Sequence, residues 1–158
     1  TPGLDIAEQK AWQNFLDAAL RLYATLNRSL VDEHQLTLND VRLLDLLAKS
    51  PEGAARMGDV AEALMSLPSR VTRQIHRLER QGFVVREASP EDGRGVLASI
   101  TDAGRWALGQ ALQTYGVAVR CHFLDRLSRP QIAAMGENCR RISAGLKAGA
   151  PPAKIGRV

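Results

Sequence analysis

At 158 residues the chain is long enough to bury a hydrophobic core of its own, and its length fits one domain. With 45% apolar and 24% charged residues it has the make-up of an ordinary globular protein, which argues against a disordered or fibrous chain. The net charge of +4 suits a polyanionic partner but does not require one.

From about Asp5 to His34 runs a helical pattern without internal proline or glycine. Ala11, Phe15, Ala18, Leu22 and Leu26 form one apolar stripe, and Trp12, Leu16, Ala19, Tyr23 and Leu30 a second beside it. That width exceeds what a single neighbour covers. A helix central to its own protomer fits it, and so does one also packed against a second subunit, which is the favoured reading. Thr37 opens the next helix, with Asp40 as its capping-box partner and Leu38, Val41, Leu44 and Leu47 facing inward as far as Lys49. Pro51-Glu52-Gly53 breaks the pattern. Met57 to Leu64 reads as a short helix, and the chain then turns through Met65-Ser66.

The next segment carries the densest chemistry. Leu67, Val71, Ile75 and Leu78 recur at helical spacing, while Arg70, Arg73, Gln74 and Arg77 occupy the opposite face. Ser66 is placed to cap the first turn, Pro68 is tolerated there, and Gly82 supplies the stop. Phe83-Val84-Val85 and Val96 to Ile100 read as two strands around a loop of proline, glycine and aspartate, a β-hairpin with Arg94 at its tip beside Asp92. Short helix, tight turn, arginine-faced helix and hairpin make a winged helix-turn-helix plan. Gly93-Arg94-Gly95 superficially fits a dinucleotide fingerprint. That motif needs a helix afterwards, and Val96 to Ile100 reads as a strand.

Beyond the hairpin, Thr101 caps a long helix to about Leu127, with Ala107, Leu108, Ala111, Leu112, Tyr115, Ala118, Val119 and Phe123 as its apolar positions. Ser128-Arg129-Pro130 starts another, in which Ile132, Met135, Cys139, Ile142 and Leu146 keep the spacing. Residues 149–158 read as a flexible tail. The beginning of the chain lacks a basic region followed by an apolar run, and no segment approaches membrane-spanning length, so the expectation is a cytoplasmic protein without membrane contact. Asn27-Arg28-Ser29 is then a chance sequon.

Several linked segments, in order, carry a resemblance. Leu67-Pro-Ser-Arg-Val-Thr-Arg, Ile75-His-Arg-Leu-Glu-Arg-Gln-Gly-Phe-Val-Val-Arg, Ser89-Pro-Glu-Asp-Gly-Arg and Ile100-Thr-Asp-Ala-Gly resemble the MarR family of bacterial transcription regulators. The resemblance implies a mainly α (α+β) fold: a winged helix-turn-helix with a two-stranded wing, and terminal helices that intertwine into a homodimer. On that reading residues 1–36 and 102–148 form the dimerisation region and residues 37–101 the DNA-binding domain. Two recognition helices about 34 Å apart imply a pseudo-palindromic operator. The function implied is sequence-specific binding of double-stranded DNA, as a ligand-responsive repressor. An architectural DNA binder without an effector and an activator stand as alternatives. No nucleophile elbow, metal-ligand cluster or phosphate loop supports an enzyme, and no cofactor is expected.

The candidate DNA-contacting residues are Ser66, Ser69, Arg70, Thr72, Arg73, Gln74 and Arg77. Arginine forks match guanine and phosphate, glutamine suits adenine, and the hydroxyls near the first turn suit phosphate. The bland alternative is a solvated face held by intrahelical partners. Glu79 is the only acid between Arg70 and Arg80, so the charges read as mostly unpaired. For Ser66, capping is an equal reading. The resemblance adds Asp92, which orients Arg94 towards the minor groove, although Gly93 and Gly95 stand where the family often has an arginine and a bulkier residue. It also implies a small aromatic or phenolic effector, for which Trp12, Leu16 and Tyr23 are candidate lining, with core packing as the competing reading. Cys121 and Cys139 read as buried, inert thiols, and His122 beside Asp125 is too little for a metal site. His76 suits either a phosphate contact or plain surface.

Overall fold

In a computed structural model, which describes residues 1–89 and 95–147, the chain begins with α1 (Ile6–His34), α2 (Leu38–Lys49), β1 (Ala54–Arg56), α3 (Met57–Ala63) and α4 (Pro68–Arg80). It continues with β2 (Val84–Ala88), β3 (Val96–Ile100), α5 (Asp102–His122) and α6 (Arg129–Lys147). Asp92 and Arg94, the two wing-tip candidates, lie outside the described residues, as does the 149–158 tail. Two compact units are present: Ala24–Val117, and Thr1–Tyr23 together with the chain from Ala118 onward. Helices α1 and α5 run through both.

In the Ala24–Val117 unit, local chemistry sets the element boundaries. Thr37 Oγ1 accepts the Asp40 N–H at 3.1 Å while Asp40 Oδ2 accepts the Thr37 N–H at 2.8 Å, a complete capping box. The Leu38 N–H is taken by Asn27 Oδ1 at 2.9 Å, which gives the asparagine of the chance sequon a structural task. Helix α4 ends at Gly82 (φ +79°), where Gly82 N–H donates to the Glu79 carbonyl and Phe83 N–H to the Leu78 carbonyl. This is the paired closure that glycine favours. The same closure ends α3, with Met65 in the left-handed position (φ +51°) and Ser66 N–H donating to Ala61.

The start of α4 differs from the sequence reading. Leu67, not Ser66, is the N-cap, and no side chain caps the helix. Ser66 is committed to closing the preceding turn, so its hydroxyl lies one residue too early. Leu67 consequently stands outside the buried stripe at 61% exposure, whereas Val71, Ile75 and Leu78 are fully buried. Each of those three contributes roughly 1.5–3 kcal/mol of burial. They pack in a core with Leu30, Leu36, Leu43, Leu44, Leu47, Val60 and Val84.

The sheet is three-stranded among the described residues, in the order β1-β3-β2, all antiparallel. The two wing strands pair from Val84↔Ile100 to Ala88↔Val96, and Ser89 N–H donates to the Gly95 carbonyl at 2.8 Å at the base of the loop. Strand β1 was not expected. Its three residues, Ala54-Ala55-Arg56, pair with Ser99, Ala98 and Leu97 and are too few to show an alternating pattern. Val96 to Ile100 is a strand, which disposes of the dinucleotide fingerprint.

In the other unit, α5 ends at His122, short of the expected Leu127, and a single 3-10 turn at Leu124–Arg126 precedes α6. Apolar side chains here stay open to solvent in the protomer: Trp12, Phe15, Leu16, Leu20 and Tyr23 on α1, and Met135, Ile142 and Leu146 on α6. The Trp12 and Phe15 rings lie 6.1 Å apart, tilted by 37°. Cys121 is exposed and Cys139 half-buried, which corrects the expectation of two buried thiols. No helix among the described residues is long and apolar enough to cross a membrane.

Candidate nucleic-acid interface

The buried stripe of α4 fixes what its other face presents. With Val71, Ile75 and Leu78 turned inward, Ser69, Arg70, Thr72 and Arg73 are exposed, and Gln74 and Arg77 are half-buried at the edge. A groove of about 390 Å³ runs beside them, lined by Arg70, Arg73, Gln74, Arg77 and Arg80 of α4, by Ser66, and by Thr37 and Asn39 at the start of α2. Five of the seven sequence candidates on the described chain thus come together in one concavity. Ser69 and Thr72 lie outside it, and the Thr72 hydroxyl donates back to the Pro68 carbonyl at 2.9 Å.

The charges on this face are not uniform. Among the described residues, Arg70 and Arg73 are exposed and form no hydrogen bond or ion pair with another side chain. Arg77 Nη2 instead meets Asp40 Oδ1 at 2.5 Å, and Gln74 Nε2 donates to the same oxygen at 2.9 Å. Asp40 is fully buried, so this α2 carboxylate sits beneath the arginine face and neutralises part of it. The expectation that the helix charges are mostly unpaired therefore holds for Arg70 and Arg73 and fails for Arg77. The sequence reading weighed acids within α4 alone, and the partner lies 37 residues upstream.

Glu79, the one acid on the helix, pairs off the helix altogether. Arg86 of β2 donates to it through Nε and through Nη2, both at 2.9 Å, and Arg86 N–H donates to its other oxygen at 3.3 Å. Arg86 Nη1 also donates to His76 Nε2 at 2.9 Å, so that ring nitrogen is the acceptor and His76 is bound at the surface. Glu79 and His76 stand out in the sequence, but nothing in their spacing points to Arg86 as the partner of both. Arg80 and Asn39 are further groove residues it missed, and the three-residue period from Arg77 was a signal for Arg80.

Trp12, Leu16 and Tyr23 lie on α1, each between 40% and 52% exposed. A separate hollow of about 480 Å³ at the corner between α5 and α6 is lined by other residues, including Arg120, Leu124, Arg129 and Ile132. Among the described residues no group of three or more histidine, cysteine or acidic side chains is placed to hold a metal.

A short helix, a tight turn, an arginine-faced helix and an antiparallel hairpin define a winged helix-turn-helix protein. Comparison with known proteins makes the class specific. A MarR family model matches residues 34–95. The structure of AbsC, a MarR family transcriptional regulator from Streptomyces coelicolor, superposes with a TM-score of 0.86 at 30% identity, covering 94% of this chain and 99% of that one. Sco3205, a MarR family regulator from the same organism solved in complex with DNA, gives 0.86 at 34% identity, over 90% and 93% of the two chains. YkoM, an uncharacterized HTH-type transcriptional regulator from Bacillus subtilis, is 36% identical over 72 residues, a stretch spanning 46% of each chain. The chain belongs to the MarR family of transcriptional regulators.

Proposed function

We propose that the chain binds double-stranded DNA sequence-specifically as a homodimer and represses transcription from a pseudo-palindromic operator. The observation that carries this reading is the pair of exposed guanidiniums, Arg70 and Arg73, unpartnered among the described residues and held over a buried helix back. Unpaired arginines facing solvent are matched by phosphate oxygens and guanine edges. Ser69 and Thr72 lie near the helix start and suit phosphate, and Ser66 lines the groove beside them. The wing-tip pair Asp92 and Arg94 is assigned by family resemblance to the minor groove. A DNA complex of the relative Sco3205 supports the partner.

The dimer reading rests on the uncovered apolar side chains of α1 and α6, with residues 1–36 and 102–148 as the dimerisation region. Water-exposed tryptophan, leucine and isoleucine in such numbers are costly unless a second copy covers them. A small aromatic or phenolic effector acting near Trp12, Leu16 and Tyr23 completes the proposal. It would favour dimers whose recognition helices no longer match the groove spacing.

The test is selection of duplexes from a random pool, followed by affinity measurement against a scrambled duplex over a salt series. The expected result is one enriched, two-fold symmetric sequence and a steep salt dependence from counterion release. Equal affinity for selected and scrambled duplexes supports the architectural alternative and overturns the regulator reading.

A further inference from the structure

The buried Asp40 is used twice. Its Oδ2 belongs to the capping box that starts α2, accepting the Thr37 N–H at 2.8 Å. Its Oδ1 reaches across to α4 and accepts from Gln74 Nε2 at 2.9 Å and from Arg77 Nη2 at 2.5 Å. A cap alone leaves a carboxylate at the surface, where water solvates it. Here the carboxylate is fully buried while the Arg77 side chain is 38% exposed. The cation therefore stands between the acid and the groove, and its charge is already met from below.

We propose that Asp40 is a specificity-determining residue that withholds Arg77 from DNA phosphate and fixes Gln74, leaving Arg70, Arg73 and Arg80 as the groove cations that no described side chain neutralises. Resting on the DNA-binding reading above, it adds a division of labour within the arginine face. Phosphate contacts strengthen binding to every sequence equally, whereas base contacts discriminate. Four arginines along one groove favour indiscriminate binding, and an internal counter-anion beneath one of them lowers that background. Two hydrogen bonds to one oxygen also hold Gln74 and Arg77 in single rotamers. The Gln74 amide is then set before the duplex arrives, and its contact with a base costs less side-chain ordering.

The test uses the full chain, with a duplex it selects from a random pool and a scrambled duplex of the same composition. Asp40→Asn removes the charge, and its amide cannot accept from Thr37 and Arg77 together. The expected result is a scrambled-duplex salt slope steeper by about 0.9, one further phosphate. Scrambled-duplex affinity rises severalfold at low salt, and preference for the selected duplex falls. In an Arg77→Ala background the same change adds nothing to the slope. Parallel weakening on both duplexes at unchanged slope marks Asp40 as a helix cap alone and overturns the proposal.

A second measurement needs no variant. Nitrogen-15 NMR of arginine side chains in the wild-type chain should show Arg70 and Arg73 moving on addition of duplex while Arg77 keeps its signal. An Arg77 shift as large as that of Arg73 overturns the assignment. Absence of wild-type binding to any duplex defeats the DNA reading itself, an outcome distinct from both.

Discussion

Gly104 faces the carbonyl oxygen of Phe83 so closely that its Cα has no room for a methyl group. The start of α5 is thereby pressed against the chain leaving α4. Thr101 completes the junction: its hydroxyl donates to the Gly82 carbonyl at 2.7 Å and accepts the Gly104 N–H at 3.0 Å. Its N–H donates to the Phe83 carbonyl at 3.0 Å. The Thr-Asp-Ala-Gly tetrapeptide is thus a joint between the end of α4 and the start of α5.

Gly104→Ala should lower stability by about 1–3 kcal/mol, since the obstacle is backbone and cannot swing aside. Urea unfolding should show a lower midpoint at unchanged slope. Gly109→Ala, on the same helix but facing open space, serves as the control and should cost nothing.

Met65 should be improved by glycine. It closes α3 at φ +51°, a conformation that strains any residue with a β-carbon, and its side chain is 83% exposed and contributes little packing. Met65→Gly should raise stability by up to about 1 kcal/mol, offset in part by the greater freedom of glycine in the unfolded chain. A fall in the urea midpoint would mean that the exposed thioether makes contacts that outweigh the strain.

Much of this was legible because it is local. The Thr37–Asp40 box, the Thr101 cap, the Gly82 stop and the Val71–Ile75–Leu78 stripe each involve residues within a few positions of one another. The turn at Met65-Ser66 misled, because an N-cap serine and a serine closing the previous helix look alike without coordinates. Strand β1 was too short to carry a period. The links of the site are tertiary: Asp40 to Arg77 joins two helices, and Glu79 to Arg86 joins a helix to a strand. Neither pairing has any spacing rule to betray it.

Arg73→Ala should weaken binding to the selected duplex by about 1–3 kcal/mol if Arg73 reads a base, with specificity relaxed at one position. If it touches phosphate, affinity for all duplexes should fall together and the salt slope should shrink by about 0.9. Fluorescence anisotropy across a salt series separates the two, and unchanged affinity for both duplexes removes Arg73 from the interface. The same measurement on Arg70→Ala assigns the second free arginine.

Leu16→Glu with Leu20→Glu should abolish the proposed homodimer while leaving the protomer folded, because both side chains are already 40% or more exposed in it. Sedimentation equilibrium should give twice the chain mass for the wild type and one chain mass for the variant. A wild-type protein that sediments as a single chain rules out the dimer.

The forked contact of Arg86 with Glu79, reinforced by the backbone amide of the same arginine, splices β2 to the last turn of α4. The base of the wing cannot tilt without carrying the helix along, so rotation of either element is shared by the other. Helix and hairpin base are thus coupled through one charged splice. Among the described residues, any twist applied to α4 is handed on to the foot of the hairpin through that splice.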